Sequence, residues 1–155
     1  MLASPGTIAE RLHQRIGEVL SVSDWILIDQ ARINTFADAT GDHYWIHTDV
    51  ERSHNEGAYG TTIAHGFLSL SLLAPSCLDA VLRVLGGKQV LNYGVEHARF
   101  IAPVRCGKNL RCRISLAAIT DKPDGRYLID LDCYVEIDGE EKPALVAHSL
   151  MLITF

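Results

Sequence analysis

The sequence lacks most of the features that mark a specialised class. Four cysteines occur in 155 residues, Cys77, Cys106, Cys112 and Cys133. None forms a C-x-x-C pair and none has zinc-knuckle spacing, so a disulfide scaffold and a structural zinc site are not expected. Small buried hydrophobes are the expected role of all four, and Cys77, Cys112 and Cys133 sit inside apolar patterns. Positive charge is also short: 14 Lys and Arg stand against 19 Asp and Glu, a formal net charge of -5. Such a balance points away from a nucleic-acid partner. No clean apolar run of membrane-spanning length is present. The longest, Phe67 to Leu85, is interrupted by Ser69, Ser71, Pro75, Ser76, Asp79 and Arg83, so no membrane span is expected. The N-terminus carries charges and no long apolar stretch, which reads against a signal peptide and toward a cytoplasmic location.

What remains is an ordinary globular composition, 48% apolar and 21% charged. The length matches about 150 residues per domain. There is no internal repeat, linker or charge block, so a single domain over residues 1–155 is expected. Such a chain can bury a real core unaided by disulfides or metal.

Helical spacing dominates the first half. Ile8, Leu12, Ile16 and Val19 predict a helix over Thr7 to Leu20. Ser23 to Ile28 reads as a short strand. Asp29 is placed to cap a helix over Gln30 to Ala39, with Ile33, Phe36 and Ala37 on one face and Gly41 as its stop. Thr40 to Thr62 reads mostly as loop, with a short helix near Asp49 to His54. From Ala64 to Val84 the pattern is apolar almost all round, which predicts a buried helix, kinked or broken at Pro75 and ended by Gly86-Gly87.

The second half reads as β. Gln89 to Ile101 predicts a strand with a bulge at Gly94. Leu110, Cys112, Ile114 and Leu116 alternate with polar residues. Asp121 to Gly125 is a turn, Tyr127 to Ile137 alternates again, and Asp138-Gly139 is a second hairpin signal. Leu145 to Phe155 is apolar on both faces, as a central strand is. The predicted fold is α+β: an antiparallel sheet wrapped around one long helix. Its uncovered face and edge would be closed by a symmetric dimer.

Chemistry concentrates in Thr40-Gly41-Asp42-His43-Tyr44-Trp45-Ile46-His47-Thr48-Asp49. Across a turn, Asp42 and His47 can converge on one water, as general acid–base work requires. The alternative is that Asp42 caps the turn and His47 is a satisfied loop histidine. His43 and His47 have i, i+4 spacing, but no His-Glu-x-x-His arrangement and no third ligand accompany them, so no metal site is expected. Tyr59 to Phe67 leads into the buried helix. Main-chain N–H groups at a helix start are unpaired and partly positive, and Gly66 would let a substrate carbonyl approach them. The alternative is that His65-Gly66 only packs the helix start against the sheet.

Together, Phe36-Ala37-Asp38-Ala39-Thr40-Gly41-Asp42-x-x-x-Ile46-His47-x-Asp49 and Ile63-Ala64-His65-Gly66 resemble the hydratase-2 motif of MaoC-like (R)-specific enoyl-thioester hydratases. Asn92-Tyr93-Gly94 and Arg99-Phe100-Ile101-Ala102-Pro103-Val104-x-x-Gly107 are similar to the strand and turn that follow in that family. The resemblance runs from about Trp25 to the C-terminus and is closest to the NodN-like subgroup. Tyr44-Trp45 stands where the family usually has Asn-Pro, which bears on the shape of the acyl pocket.

The resemblance implies a hotdog fold and a homodimer with each site near the subunit interface. It implies reversible syn addition of water to a trans-2-enoyl thioester on coenzyme A or acyl carrier protein, without metal or cofactor. Asp42 and His47 would be catalytic. Gly66 and His65 would serve the oxyanion and substrate, with Asn92, Tyr44 and Trp45 on the pocket wall. Arg99, Arg105, Lys108, Arg111 and Arg113 could meet coenzyme A phosphates or an acidic carrier protein, or form a solvated strand face. Two other readings stand beside this one. A thioesterase on the same fold is one, although the full Gly-Asp-x-x-x-Ile-His run argues against it. A non-catalytic acyl-thioester binder is the other.

Overall fold

Alternating side chains dictate the sheet. The computed structural model describes residues 7–155. Six strands form one antiparallel sheet: β1 (Val19–Val22), β2 (Ile26–Ile28), β3 (Gln89–Phe100), β4 (Lys108–Asp121), β5 (Tyr127–Ile137) and β6 (Leu145–Thr154). The order is β1-β4-β5-β6-β3, with β2 also pairing β4. Ile114 faces Cys133, and Cys133 faces Ala147, so apolar residues from three neighbouring strands share one surface. Leu110, Ile114, Leu116, Ile129, Leu131, Val135 and Leu145 are fully buried there, each worth about 1.5–3 kcal/mol of transfer free energy.

The opposite face carries Arg111, Arg113, Asp130, Asp132, Glu136 and His148, half-buried or exposed. It is compatible with water and needs no covering, contrary to the expectation from sequence. The edge is different. Among the described strands β3 pairs only with β6, and Leu91, Tyr93 and Val95 on it are exposed. Its register shifts between Asn92 and Gly94, and again between Glu96 and Arg99; the first is the expected bulge.

The long apolar segment forms the helix that the sheet wraps. It runs through α5 (Gly66–Ser71) and α6 (Leu73–Asp79), with a π-helical turn (Ala80–Leu85) to end it, and is continuous over 20 residues, Gly66–Leu85. By length and composition that helix could cross a membrane. Here Leu68, Leu73, Cys77, Ala80 and Val81 join the core of the sheet, while Phe67, Leu78 and Leu82 stay exposed. The α pattern is interrupted at Leu72, between α5 and α6. Pro75 sits inside α6 rather than at the break. It has no N–H for the Ser71 carbonyl one turn back and clashes there, while the adjacent Leu72 carbonyl accepts from Ser76 Oγ and Cys112 Sγ.

Two boundaries differ from expectation. The first helix, α1 (Ile8–His13), stops early. Gly17 follows in a left-handed conformation at φ 90°, its N–H donates to Leu116 O, and Val19–Val22 pairs β4. The β-branched ends of Val-Leu-Ser-Val favour this pairing over helix. The strand predicted from Ser23 is present only as β2. The next helix, α2 (Gln30–Thr40), has the expected Asp29 cap and ends at Gly41, φ 80°. Residues read as loop contain α3 (Trp45–Thr48) before the expected short helix, α4 (Val50–Asn55).

The cysteines are all free thiols, with Cys77, Cys112 and Cys133 buried and Cys106 half-buried. Contact with Cys77 and burial push the Cys133 thiol far up, so it stays protonated.

Candidate active site

Gly41 terminates α2 and turns the chain, which sets Asp42 at the head of the following turn. The Asp42 carboxylate accepts the Tyr44 N–H at 3.3 Å. The single turn of α3 then directs His47 inward, where it is 8% exposed. Its Nδ1 lies 2.7 Å from the Ile63 carbonyl. A carbonyl oxygen only accepts, so Nδ1 carries the hydrogen and Nε2 presents its lone pair. Burial pushes the His47 pKa below its ordinary 6.5, against the raising effect of the Ile63 hydrogen bond.

The partner segment is fixed from both sides. Ile63 N–H donates to Ile46 O, Ala64 N–H to Val104 O and Cys106 N–H to Thr62 O. His65 is the N-cap of α5 but makes no side-chain cap bond. Instead its Nε2–H donates to the main-chain carbonyl of Asp42 at 2.9 Å. Asp42, His47 and His65 thus converge, each offering a carboxylate oxygen or ring nitrogen within 4.8 Å of the others. Among the described residues no acceptor takes the Gly66 N–H, as expected of a first-turn amide.

These groups line a cavity of about 420 Å³, whose other walls include Ile63, Phe67, Phe100, Pro103 and Val104. A second, more apolar cavity of about 560 Å³ lies on the other side of Asp42 and Phe67, against Phe36 and Leu70. A polar pair therefore meets greasy walls, the setting in which a few placed polar groups orient a ligand.

His43 and His47, the i, i+4 pair in the sequence, point to different surroundings: His43 is exposed and lies 3.7 Å from Asp38, while His47 is buried. Asp42, His47 and His65 are the donors near enough to share an ion. However, the two imidazoles are stacked, with centroids 3.8 Å apart and 25° between planes, so their lone pairs lie in separate, nearly parallel planes.

Other sequence candidates stand apart. Tyr44 is exposed, with its ring edge-on to His47 at 6.4 Å. Trp45 is turned to α4, where Arg52 lies over its ring at 4.3 Å. Neither lines the two cavities. Asn92 lines a separate groove between β3 and the long helix. Gly66 packs the helix start against the sheet, the alternative read from the sequence: a β-carbon there would fall 2.9 Å from the Phe100 ring of β3. The basic stretch is largely neutralised. Arg111 and Arg113 pair with Glu136, and Lys108 with Glu140. Burial alone would raise Glu136, but the two arginines hold it below the usual carboxylate range. Arg111 also covers the Trp25 ring.

Sequence reasoning missed Gln30 and Thr62. Gln30 Nε2 donates to the His47 carbonyl at 2.8 Å, and its Oε1 accepts from the hydroxyl of fully buried Thr62. No sequence signal distinguishes a glutamine at a helix start from a solvated one.

Comparison with known proteins places the chain in a family. The family model described as MaoC like domain matches residues 11–131. The 3-hydroxyacyl-thioester dehydratase Z of Mycobacterium tuberculosis is 45% identical over 135 residues, covering 87% of this chain and 88% of that protein. Nodulation protein N of Rhizobium leguminosarum bv. viciae is 40% identical over 141 residues, covering 91% and 88%. Among solved structures, an (R)-hydratase from A. caviae involved in PHA biosynthesis superposes with a TM-score of 0.70 at 22% identity, covering 86% of this chain and 95% of that one. The architecture is the hotdog fold. The chain belongs to the MaoC-like domain family and is a hydro-lyase of the hydratase/dehydratase type.

Proposed function

We propose that the chain is an (R)-specific enoyl-thioester hydratase, equally a 3-hydroxyacyl-thioester dehydratase, acting on acyl groups carried by coenzyme A or acyl carrier protein. The observation that carries this reading is the convergence of Asp42 and the free Nε2 of His47 on one apolar cavity beside the open Gly66 amide. A water held between carboxylate and imidazole is placed for attack on the β carbon of a trans-2-enoyl thioester. Its oxygen bonds to Cβ and the pair passes one of its protons to Cα. The dyad ends in its starting protonation state, and syn addition follows because both groups lie on one side of the double bond.

Charge develops on the thioester oxygen as the enolate forms. The Gly66 N–H supports it, and one such donor is worth roughly 2.7–4 kcal/mol. The reaction requires neither metal nor redox cofactor, since water supplies both added groups, OH to Cβ and H to Cα. A homodimer closes the β3 edge.

Hydration of crotonyl-coenzyme A and longer enoyl thioesters by the purified protein tests the reading. Activity is expected, with Asp42→Asn and His47→Gln each reducing kcat by about 10²-fold or more. Turnover unaffected by both changes removes the dyad. Thiol release from a saturated acyl-coenzyme A without hydration would mark a thioesterase instead.

A further inference from the structure

His65 is 2% exposed and holds no helix cap. Its ring is clamped between two others: His47 is stacked on it with centroids 3.8 Å apart, and Phe36 lies tilted at 5.0 Å. Its Nε2–H is committed to the Asp42 carbonyl. That assignment leaves Nδ1 as a bare lone pair, buried with no partner. An unpartnered buried nitrogen costs free energy, a cost that the other contacts of the ring must offset. Nδ1 itself is buried, so it is not placed to touch a substrate.

We infer that His65 is a positioning residue: it tethers the Asp42 turn through its Nε2–H and serves as the flat wall that shields the His47 ring from water. The two histidines thus occupy opposite tautomers, each fixed by a main-chain carbonyl. His47 holds hydrogen on Nδ1 toward Ile63, and His65 holds it on Nε2 toward Asp42. One face of the working imidazole is covered, and the carboxylate beside it is held from behind. Main-chain tethering matters because a displacement of about 1 Å in such a pair can cost 10²-fold in rate.

The titratable groups that face His47 are Asp42 from the turn, His65 from the helix start and Tyr44 from its own turn. The opposite wall, residues 100–104 and Ala144, brings none. Burial is the largest influence on His47, and the His65 ring supplies part of it. The inference rests on the dyad reading above.

Two variants separate the two roles. His65→Gln places an amide N–H where Nε2–H stood but removes the ring; His65→Phe keeps the ring and removes the donor. For His65→Phe, kcat for enoyl-thioester hydration is expected to fall about tenfold or more with KM within about threefold. The ¹⁵N imidazole titration of His47 should move up less than in His65→Gln, since the covering ring stays and only the charge influence of His65 is lost. For His65→Gln, the His47 titration and the acid limb of the rate profile are both expected to move up, because the covering ring is gone. An unchanged kcat in His65→Phe, or an unmoved His47 titration in His65→Gln, overturns the inference. Should the variants fail to fold, ¹⁵N spectra of the unaltered protein decide: hydrogen on Nε2 of His65 is expected, and hydrogen on Nδ1 overturns it. Failure of the dyad itself appears separately, as activity surviving Asp42→Asn and His47→Gln.

Discussion

The Phe100 ring lies against the α-carbon of Gly66, so close that a β-carbon would sit 2.9 Å from Cδ1 and 3.0 Å from Cε1. A β-bulge between Glu96 and Arg99 delivers that ring from β3 to the start of the long helix; such bulges re-aim side chains. Gly66 thus lets the Phe100 ring rest on the helix start as well as giving the access that an open amide needs.

Gly66→Ala tests this contact. Alanine suits a helix better than glycine, and Phe100 is half exposed, so its ring can swing aside. Stability is expected to change by less than about 1.5 kcal/mol. Activity should fall about tenfold or more, because the displaced ring enters the cavity it now lines. Adding Phe100→Ala should restore part of the loss. Equal activity of Gly66→Ala and the unaltered protein, read by steady-state kinetics, would show that the contact is slack.

The pH dependence follows from His47. Its folded pKa is lowered by burial below 6.5, so the folded state binds fewer protons there than the unfolded chain. The associated stability is present above pH 6.5 and is lost as pH falls through the folded value. The base form also vanishes in that range. The acid limb of kcat/KM for hydration is therefore expected below pH 6.5, and it should disappear in His47→Gln. A limb at or above 6.5 contradicts the buried geometry.

Much of the site was legible because its parts are close in the chain. Asp42 and His47 lie five residues apart across a glycine stop, and Asp29, Ile33 and Gly41 announce the helix before it. The His47–His65 stack was not legible. It joins residues 18 apart through main-chain bonds of Ile63 with Ile46 and of Ala64 with Val104, which no local pattern encodes. The single turn of α3 is too short for periodicity to register. Arg111 and Arg113 looked like a ligand-binding stripe because their partner, Glu136, comes from another strand. The start of β1 was absorbed into a helix because Val19 fits both spacings, and the pairing with β4 that decides the matter is long-range.

Gln30 is expected to matter for both fold and rate. Gln30→Leu removes the bond to the His47 carbonyl and strands the hydroxyl of fully buried Thr62. An orphaned buried hydroxyl costs about 1–3 kcal/mol. Denaturant unfolding should show a loss of that size, and kcat should fall with KM little changed, since the glutamine holds the back of the His47 turn and touches no cavity. Gln30→Leu with Thr62→Val should recover stability but not rate. Recovery of both would mean that the glutamine serves the core alone.

The β3 edge yields the last expectation. Leu91, Tyr93 and Val95 are 53%, 60% and 49% exposed on an edge strand that carries unpaired main-chain groups. An exposed apolar edge is a template for another strand. A second copy of this chain is the economical occupant: its own β3 offers the same groups in antiparallel register, and a two-fold axis makes the contact closed. The exposed Phe67 and Phe100 extend the apolar surface toward the cavity mouth. Sedimentation should therefore find a dimer. Val95→Lys, which places a charge on the edge, should shift it toward monomer without unfolding. Because the cavities open beside that surface, enoyl-thioester turnover should fall in parallel with the dimer fraction as protein is diluted. A monomeric unaltered protein with full activity would overturn the link between edge and site.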